Sequence, residues 1–252
     1  MSPQENGSTP PGIKGKLELM HIIERLKTQT RTGWVNVKVP GRVESIADHM
    51  YRMAMLSLLS EEDEELDIAK CVQMAVVHDL AEALVGDITP HDGISKAQKQ
   101  KLEEDAMHTM TRVNLDPDGP ASKRIRALFE EYEQRSSKEA RFVKDLDLLE
   151  MALQGSEYEA DRGSDQIQPF FESSIPKIQH LEVKKWAHEL MEQRKAKRGS
   201  DPSYKHVATS STLPSTQIPA SIPTPDPLIQ LSPSSVPVTD ADEEVSHSNS
   251  HN

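Results

Sequence analysis

Three places in the chain put a metal-capable side chain where a core residue is expected. His49 lies on the stripe His49, Met53, Leu56. The pair His78-Asp79 follows the apolar run Met74-Ala75-Val76-Val77. Asp147 shares a helical stripe with Ala140, Val143 and Met151. A carboxylate buried alone costs several kcal/mol, so an Asp on an apolar stripe calls for a cation or a strong donor beside it. Two imidazoles and two carboxylates make a suitable ligand set for a divalent transition metal. They suit Mn, Fe, Co, Ni or Zn better than Ca. Spread over three helices, such ligands would clamp a bundle and leave coordination positions for water and substrate.

Glu82 is i+4 from His78 and i+3 from Asp79, which places it over the same helical face one turn on. Asp87 follows just past Gly86. These two carboxylates are suited to general acid and base work, or to holding a second, harder ion such as Mg²⁺. Taken singly, each residue has a plainer reading. An isolated His-Asp pair is a weak sign, His49 alone reads as a satisfied core histidine, and Glu82 and Asp87 read as helix-end charges. Asp145, i+4 from Arg141, reads as a solvated ion pair, which leaves Asp147 as the ligand. Cys71 reads as a small core residue. The joint pattern is what favours a metal centre.

Helices must position these groups. Leu19, Ile22, Ile23 and Leu26 keep helical spacing over Lys16 to Lys27. Thr28 to Gly41, with Gly33, Trp34 and Pro40-Gly41, is expected to be an ordered loop. A second helix is expected from near Ser45 to about Leu59, with Met50, Met53, Ala54 and Leu58 as its core stripe. A third spans Asp67 to Val85, with Gly86 as its stop. Ser95-x-x-Gln98 is a capping-box pattern that opens a polar helix to about Val113. Pro120 to Gln134 and Ser137 to Asp161 follow as helices, Phe170-Phe171 sits in a connector, and Ile175 to Lys197 closes the fold. No alternating apolar strand is convincing, so the expected class is an all-α helical bundle.

The composition narrows the setting. The 252 residues carry 29 Lys and Arg against 41 Asp and Glu, a net charge of −12, with one cysteine. A single cysteine excludes an intrachain disulfide framework and fits a reducing compartment. No apolar run reaches the roughly 18 residues of a membrane span. The polar start with Pro10-Pro11 does not read as a secretory signal. The expected location is the cytoplasm, with the nucleus as the alternative, and no membrane partner. Residues 1–14 and the Ser/Pro-rich acidic tail 198–252 are expected to be disordered, flanking one domain over 15–197. The tail from Gly199 onward carries −5 of the charge and the remainder −7. That balance argues against a nucleic-acid polymer as partner, while a cation could still bring in a phosphate-bearing ligand.

The order His49, His78-Asp79, Asp147 on helices resembles the HD-domain metal-dependent phosphohydrolases. Several longer stretches resemble the HD-domain 5'-deoxynucleotidase family. They are Arg31-Thr-Gly-Trp34, the run from Arg42 through His49, the run Val77 to Pro90, and Phe142-Val-Lys-Asp-Leu-Asp147. Glu130-Glu-Tyr-Glu133 and Gln154-Gly-Ser-Glu-Tyr-Glu159 match eukaryotic members, and the likeness covers about Lys16 to Arg194. It implies hydrolysis of deoxyribonucleoside 5'-monophosphates to nucleoside and phosphate, a divalent metal (Mn, Co or Mg, with Zn or Fe as alternatives) and a homodimer. It implies His49, His78, Asp79 and Asp147 as metal ligands, and Glu82 and Asp87 as catalytic residues. Glu82, Asp87 and the Ile88 backbone would be ligands to a second metal if one binds. Arg31, Trp34, Asp87 and Thr89 would meet the substrate. Arg31 would orient the phosphate, with Lys38 and Arg42 as alternative cations. Trp34 would offer a flat wall against the sugar.

Two other readings use the same ligands. One is an HD-type phosphodiesterase acting on a cyclic nucleotide or an alarmone. The other is a non-catalytic helical binding module clamped by its metal, against which the intact Glu82 and Asp87 speak.

Overall fold

The computed structural model describes residues 12–39, 41–89, 92–162 and 164–200. The described part is helical. It comprises α1 (Gly12–Glu24) with a 3₁₀ turn (Arg25–Lys27), α2 (Thr32–Asn36), α3 (Ile46–Ser57), α4 (Ile68–Val77) and α5 (Glu82–Val85). Then come α6 (Lys96–His108) with a π turn (Thr109–Val113), α7 (Pro120–Gln134), α8 (Lys138–Arg162), α9 (Ser164–Ser174) with a 3₁₀ turn (Ile175–Lys177), and α10 (Leu181–Ser200). The all-α expectation holds: among the described residues there is no strand, only an isolated antiparallel bridge between Thr30 and Ser45. No described helix is long and apolar enough to cross a membrane.

The termini of these helices follow from local chemistry. Ser45 and Asp48 form a reciprocal capping box at the start of α3, as Ser95 and Gln98 do for α6. Asp67 caps α4 by accepting from the Lys70 N–H. Pro120 opens α7, where its missing N–H costs nothing. The long α8 packs against α3, α4, α7, α9 and α10. Met53, Met74, Phe142, Val143 and Leu146 are buried in the core between these helices.

Several expectations need correction. The single helix over Asp67 to Val85 is broken: α4 ends at Val77, and His78 to Ala81 form turns before α5. Backbone bonding switches there from the i−4 bond of His78 to Met74 O to i−3 bonds, Leu80 to Val77 O and Glu82 to Asp79 O. The loop Thr28 to Gly41 contains α2, because the Trp34 and Val35 N–H groups both find Arg31 O. Phe170 and Phe171 lie on α9, not in a connector. Leu58 is exposed rather than part of the core stripe, since α3 ends at Ser57. Residues 12–14 belong to α1 and residues 198–200 to α10. The rest of the two ends expected to be disordered lies outside the described residues.

Candidate metal centre

His49 sits one turn into α3, where its N–H bonds Ser45 O. The start of that helix is pinned to the preceding segment by Ile46 N–H to Gln29 O and by Arg31 N–H to Glu44 O. His78 is the first residue past α4 and Asp79 lies in the turn that follows. Asp147 projects from α8. Elements distant in sequence thus converge on one point.

There His49 Nε2 lies 3.3 Å from Asp147 Oδ1 and 3.7 Å from Asp79 Oδ2, and His78 Nε2 lies 3.1 Å from the same Asp79 oxygen. One donor atom from each of His49, His78 and Asp79 falls within 4.8 Å of the others. Both Nε2 atoms are buried without a hydrogen-bond partner. The opposite ring nitrogens are occupied. His78 Nδ1 is 2.9 Å from the Ala75 carbonyl, and His49 Nδ1 is 2.6 Å from Glu150 Oε2. A carbonyl can only accept, so His78 carries its proton on Nδ1 and turns the Nε2 lone pair to the cluster. Two orphaned imidazole nitrogens facing two carboxylates fit a divalent metal in donor type and in number.

Cations surround the acids. Arg31 donates to Asp79 Oδ2 at 3.2 Å. Asp147 splits its oxygens: Oδ1 faces His49, while Oδ2 accepts from Lys144 Nζ at 2.6 Å and from the Tyr132 hydroxyl at 3.1 Å. Burial opposes the charge on Asp79, and the Arg31 guanidinium beside it helps hold the carboxyl below the usual range. Burial likewise opposes Asp147, and Lys144 holds it low.

Glu82 behaves in the opposite way. It is 3% exposed and its Oε2 is buried without a partner. Burial, then the charges of Asp79 and Asp87, push its carboxyl well above the usual range. A buried acid biased towards its protonated form therefore stands beside acids biased towards the charged form.

The loop after α5 is tied down. Asp87 Oδ2 accepts the Thr32 N–H at 2.7 Å, and Asp87 O accepts the Thr32 hydroxyl at 2.8 Å. Lys99 Nζ donates to Ile88 O at 3.0 Å. The Thr89 N–H and hydroxyl both bond Asp92 Oδ2, at 2.6 and 2.8 Å. Of the alternative cations, Arg42 is exposed and paired with Asp48 at 2.6 Å, and Lys38 is exposed at φ 54°. Arg31 is the one that reaches Asp79.

Two site expectations change. Trp34 is 2% exposed, stacked on Phe170 at 4.1 Å between ring centroids and edge-on to Tyr158 at 5.4 Å. Its indole N–H donates to Glu44 Oε1 at 2.5 Å. In this structure the ring is a core element and offers no open wall to a sugar. Asp145 is no solvated partner of Arg141. It is buried and accepts the N–H groups of Gln179 and His180, at 2.8 and 2.6 Å, just ahead of α10. Sequence reasoning missed Glu150, Tyr132 and Lys144. Helical spacing could have found two of them, because Glu150 and Lys144 lie three residues either side of Asp147.

A helical bundle that gathers His, His-Asp and Asp in this order defines the class, and residues 23–191 match the HD domain family. The chain belongs to the HD-domain family. The protein named 5'-deoxynucleotidase HDDC2 in Bos taurus is 43% identical over 188 residues, 73% of this chain and 88% of that protein. The protein of the same name in Danio rerio is 46% identical over 181 residues, 71% of this chain and 87% of that protein. The solved structure of the HD domain-containing protein YGK1 is 33% identical with a TM-score of 0.54, covering 74% of this chain and 88% of that one.

Proposed function

We propose that this chain is a metal-dependent 5'-deoxynucleotidase, a phosphoric monoester hydrolase that converts deoxyribonucleoside 5'-monophosphates to deoxyribonucleosides and phosphate. The observation that carries the reading is the convergence of His49, His78, Asp79 and Asp147 beside Arg31 and a buried Glu82. It stands on a chain 43% identical to a protein named 5'-deoxynucleotidase.

His49, His78, Asp79 and Asp147 would hold one divalent ion, with Mn, Co and Mg as candidates. When bound, the ion supplies positive charge and Lewis acidity for phosphoryl chemistry. The protein's own groups supply the rest. Arg31, already fixed by Asp79, turns its remaining N–H donors to the phosphate and offsets the charge that spreads over its oxygens in the transition state. Glu82 delivers a proton to the departing 5'-oxygen as the P–O bond breaks, while a water oxygen bonds to phosphorus and the proton that this water loses restores Glu82. Asp87 anchors Thr32 and so fixes the loop beside Glu82 against the segment that carries Arg31. The reading includes a homodimer and a solution setting without membrane or nucleic-acid polymer.

Chelator-stripped protein is incubated with a panel of deoxyribo- and ribonucleoside monophosphates, cyclic nucleotides and alarmones, with and without Mn, Co or Mg. Phosphate release from the deoxyribonucleotides only after metal is restored is the expected result. No metal-dependent release from any of them overturns the reading, and turnover confined to cyclic nucleotides or alarmones replaces it with a phosphodiesterase.

A further inference from the structure

We infer that Glu150, braced by Arg52, is a positioning residue that keeps the proton of His49 on Nδ1 and thereby presents Nε2 to the metal centre. The inference rests on the metal-centre reading above and assigns the part of the centre that lies behind its ligands.

Glu150 is fully buried, one turn beyond Asp147 on α8. Its Oε2 lies 2.6 Å from His49 Nδ1. Its Oε1 accepts from Arg52 Nε at 2.8 Å and lies 2.7 Å from Arg52 Nη2. Arg52 is in turn held by Glu157 at 2.9 and 3.0 Å and by Gln154. A neutral imidazole carries one N–H, and the partner of one nitrogen decides whether the other is a donor or a ligand. An ionised carboxylate accepts and never donates, so Glu150 places hydrogen on Nδ1. The nitrogen left facing Asp79 and Asp147 is Nε2, which is buried and has no hydrogen-bond partner. One helix thus provides a carboxylate in front of His49 (Asp147) and another behind it (Glu150).

The two histidines of the centre are oriented by different means. His78 is held by the neutral Ala75 carbonyl, a backbone group that substitution does not remove. His49 is held by a charged side chain that can be exchanged. Outer partners of this kind typically contribute about 10- to 100-fold to metal affinity. A glutamine at position 150 cannot fill the role. Turning its oxygen to His49 aims its amide N–H₂ at Arg52, and the reverse orientation sets a donor against Nδ1–H.

The test is Mn²⁺ affinity of the full chain, read from the free-ion signal in electron paramagnetic resonance, with melting temperature measured alongside. Glu159→Gln serves as the structural control, since Glu159 is equally buried but pairs with Arg194 at 2.7 Å. The expected result is Mn²⁺ binding weakened about 10- to 100-fold by Glu150→Gln. Glu159→Gln should lower the melting temperature and leave Mn²⁺ affinity near wild type. Arg52 is part-exposed, so Arg52→Gln keeps the test open if Glu150→Gln fails to fold. It should weaken Mn²⁺ binding by a smaller factor in a folded protein. Wild-type affinity in folded Glu150→Gln overturns the inference, as does wild-type affinity in Arg52→Gln when Glu150→Gln does not fold. Equal weakening by Glu150→Gln and Glu159→Gln also overturns it, because the loss would then be structural. A wild-type chain that binds no Mn²⁺, Co²⁺ or Mg²⁺ removes the metal reading itself, a result distinct from the others.

Discussion

The carboxylate of Asp87 accepts the backbone N–H of Thr32 at 2.7 Å, and the Asp87 carbonyl accepts the Thr32 hydroxyl at 2.8 Å. Two hydrogen bonds between neighbouring groups therefore lock the loop after α5 to the segment that carries Arg31. In an Asp87→Ala chain only the carbonyl contact remains. Arg31 and Glu82 lose their common reference frame, and kcat/KM should fall about 10- to 100-fold. Mn²⁺ affinity should stay near wild type. Steady-state kinetics with a parallel metal titration measure both, and unchanged kinetics would show that the lock is dispensable.

Metal should also stabilise the fold, because the proposed ligands come from the start of α3, the turn after α4 and the middle of α8. An ion at a hundredfold excess over its Kd contributes about 2.7 kcal/mol if it binds only the folded chain. Adding Mn²⁺ to stripped protein should therefore raise the melting temperature, and chelator should reverse the rise. His78→Ala and Asp147→Ala chains should show no such rise. A response in Asp147→Ala equal to wild type would remove that residue from the ligand set.

Glu44, behind the centre, predicts a pH dependence of stability. Burial, then the charge of Glu150, raises its carboxyl from 4.5 to about 7. The folded-state value exceeds the unfolded one. The contribution is therefore fully present below pH 4.5 and is lost as pH rises through about 7. Glutamine keeps an oxygen for the Trp34 indole N–H without the charge. Glu44→Gln should match wild type near pH 4 and exceed it at pH 8 by on the order of 3 kcal/mol. Urea titrations at the two pH values give the difference, and a constant offset between the chains would contradict the assignment.

Arg194 predicts a loss of stability. It makes two 2.7 Å bonds to Glu159, a third at 2.7 Å to Gln168, and stacks its guanidinium 3.8 Å over the Phe171 ring. Removing one member of a buried pair costs about 3–5 kcal/mol when nothing replaces it, and less here because Arg198 also lies 3.1 Å from the Glu159 carboxylate. Arg194→Ala should unfold at much lower urea while the fraction still folded turns over substrate normally. A change below 1 kcal/mol would mean that Arg198 alone satisfies Glu159.

The all-α class and the gathering of His49, His78, Asp79 and Asp147 were legible because both depend on periodicity. A histidine or aspartate on an apolar stripe stands out against its neighbours, and the HD-domain likeness uses the same positions. Geometry that departs from the ideal helix was not legible. Nothing in Met74 to Val85 marks the switch to i−3 bonding at His78, since tertiary contacts impose it on residues that would continue a helix. Asp145 was misread for a related reason: its partners are backbone groups of Gln179 and His180, far along the chain and without a side-chain signal. Trp34 was expected at the sugar because the family resemblance pairs it with Arg31, and a resemblance does not show how far the ring is buried. Whether it meets Phe170 and Tyr158 depends on how α8 and α9 pack.

The enclosure of Trp34 has an optical consequence. The chain holds two tryptophans, and this one is sealed from water with its N–H on the Glu44 carboxylate. A shielded indole emits at shorter wavelength than a hydrated one, and an adjacent ionising group perturbs that emission. Three residues from Arg31, the chain therefore carries its own fluorophore, whose colour reports the packing of α2 and whose intensity follows the ionisation of Glu44. Trp186→Phe would leave that single reporter in place without an added label.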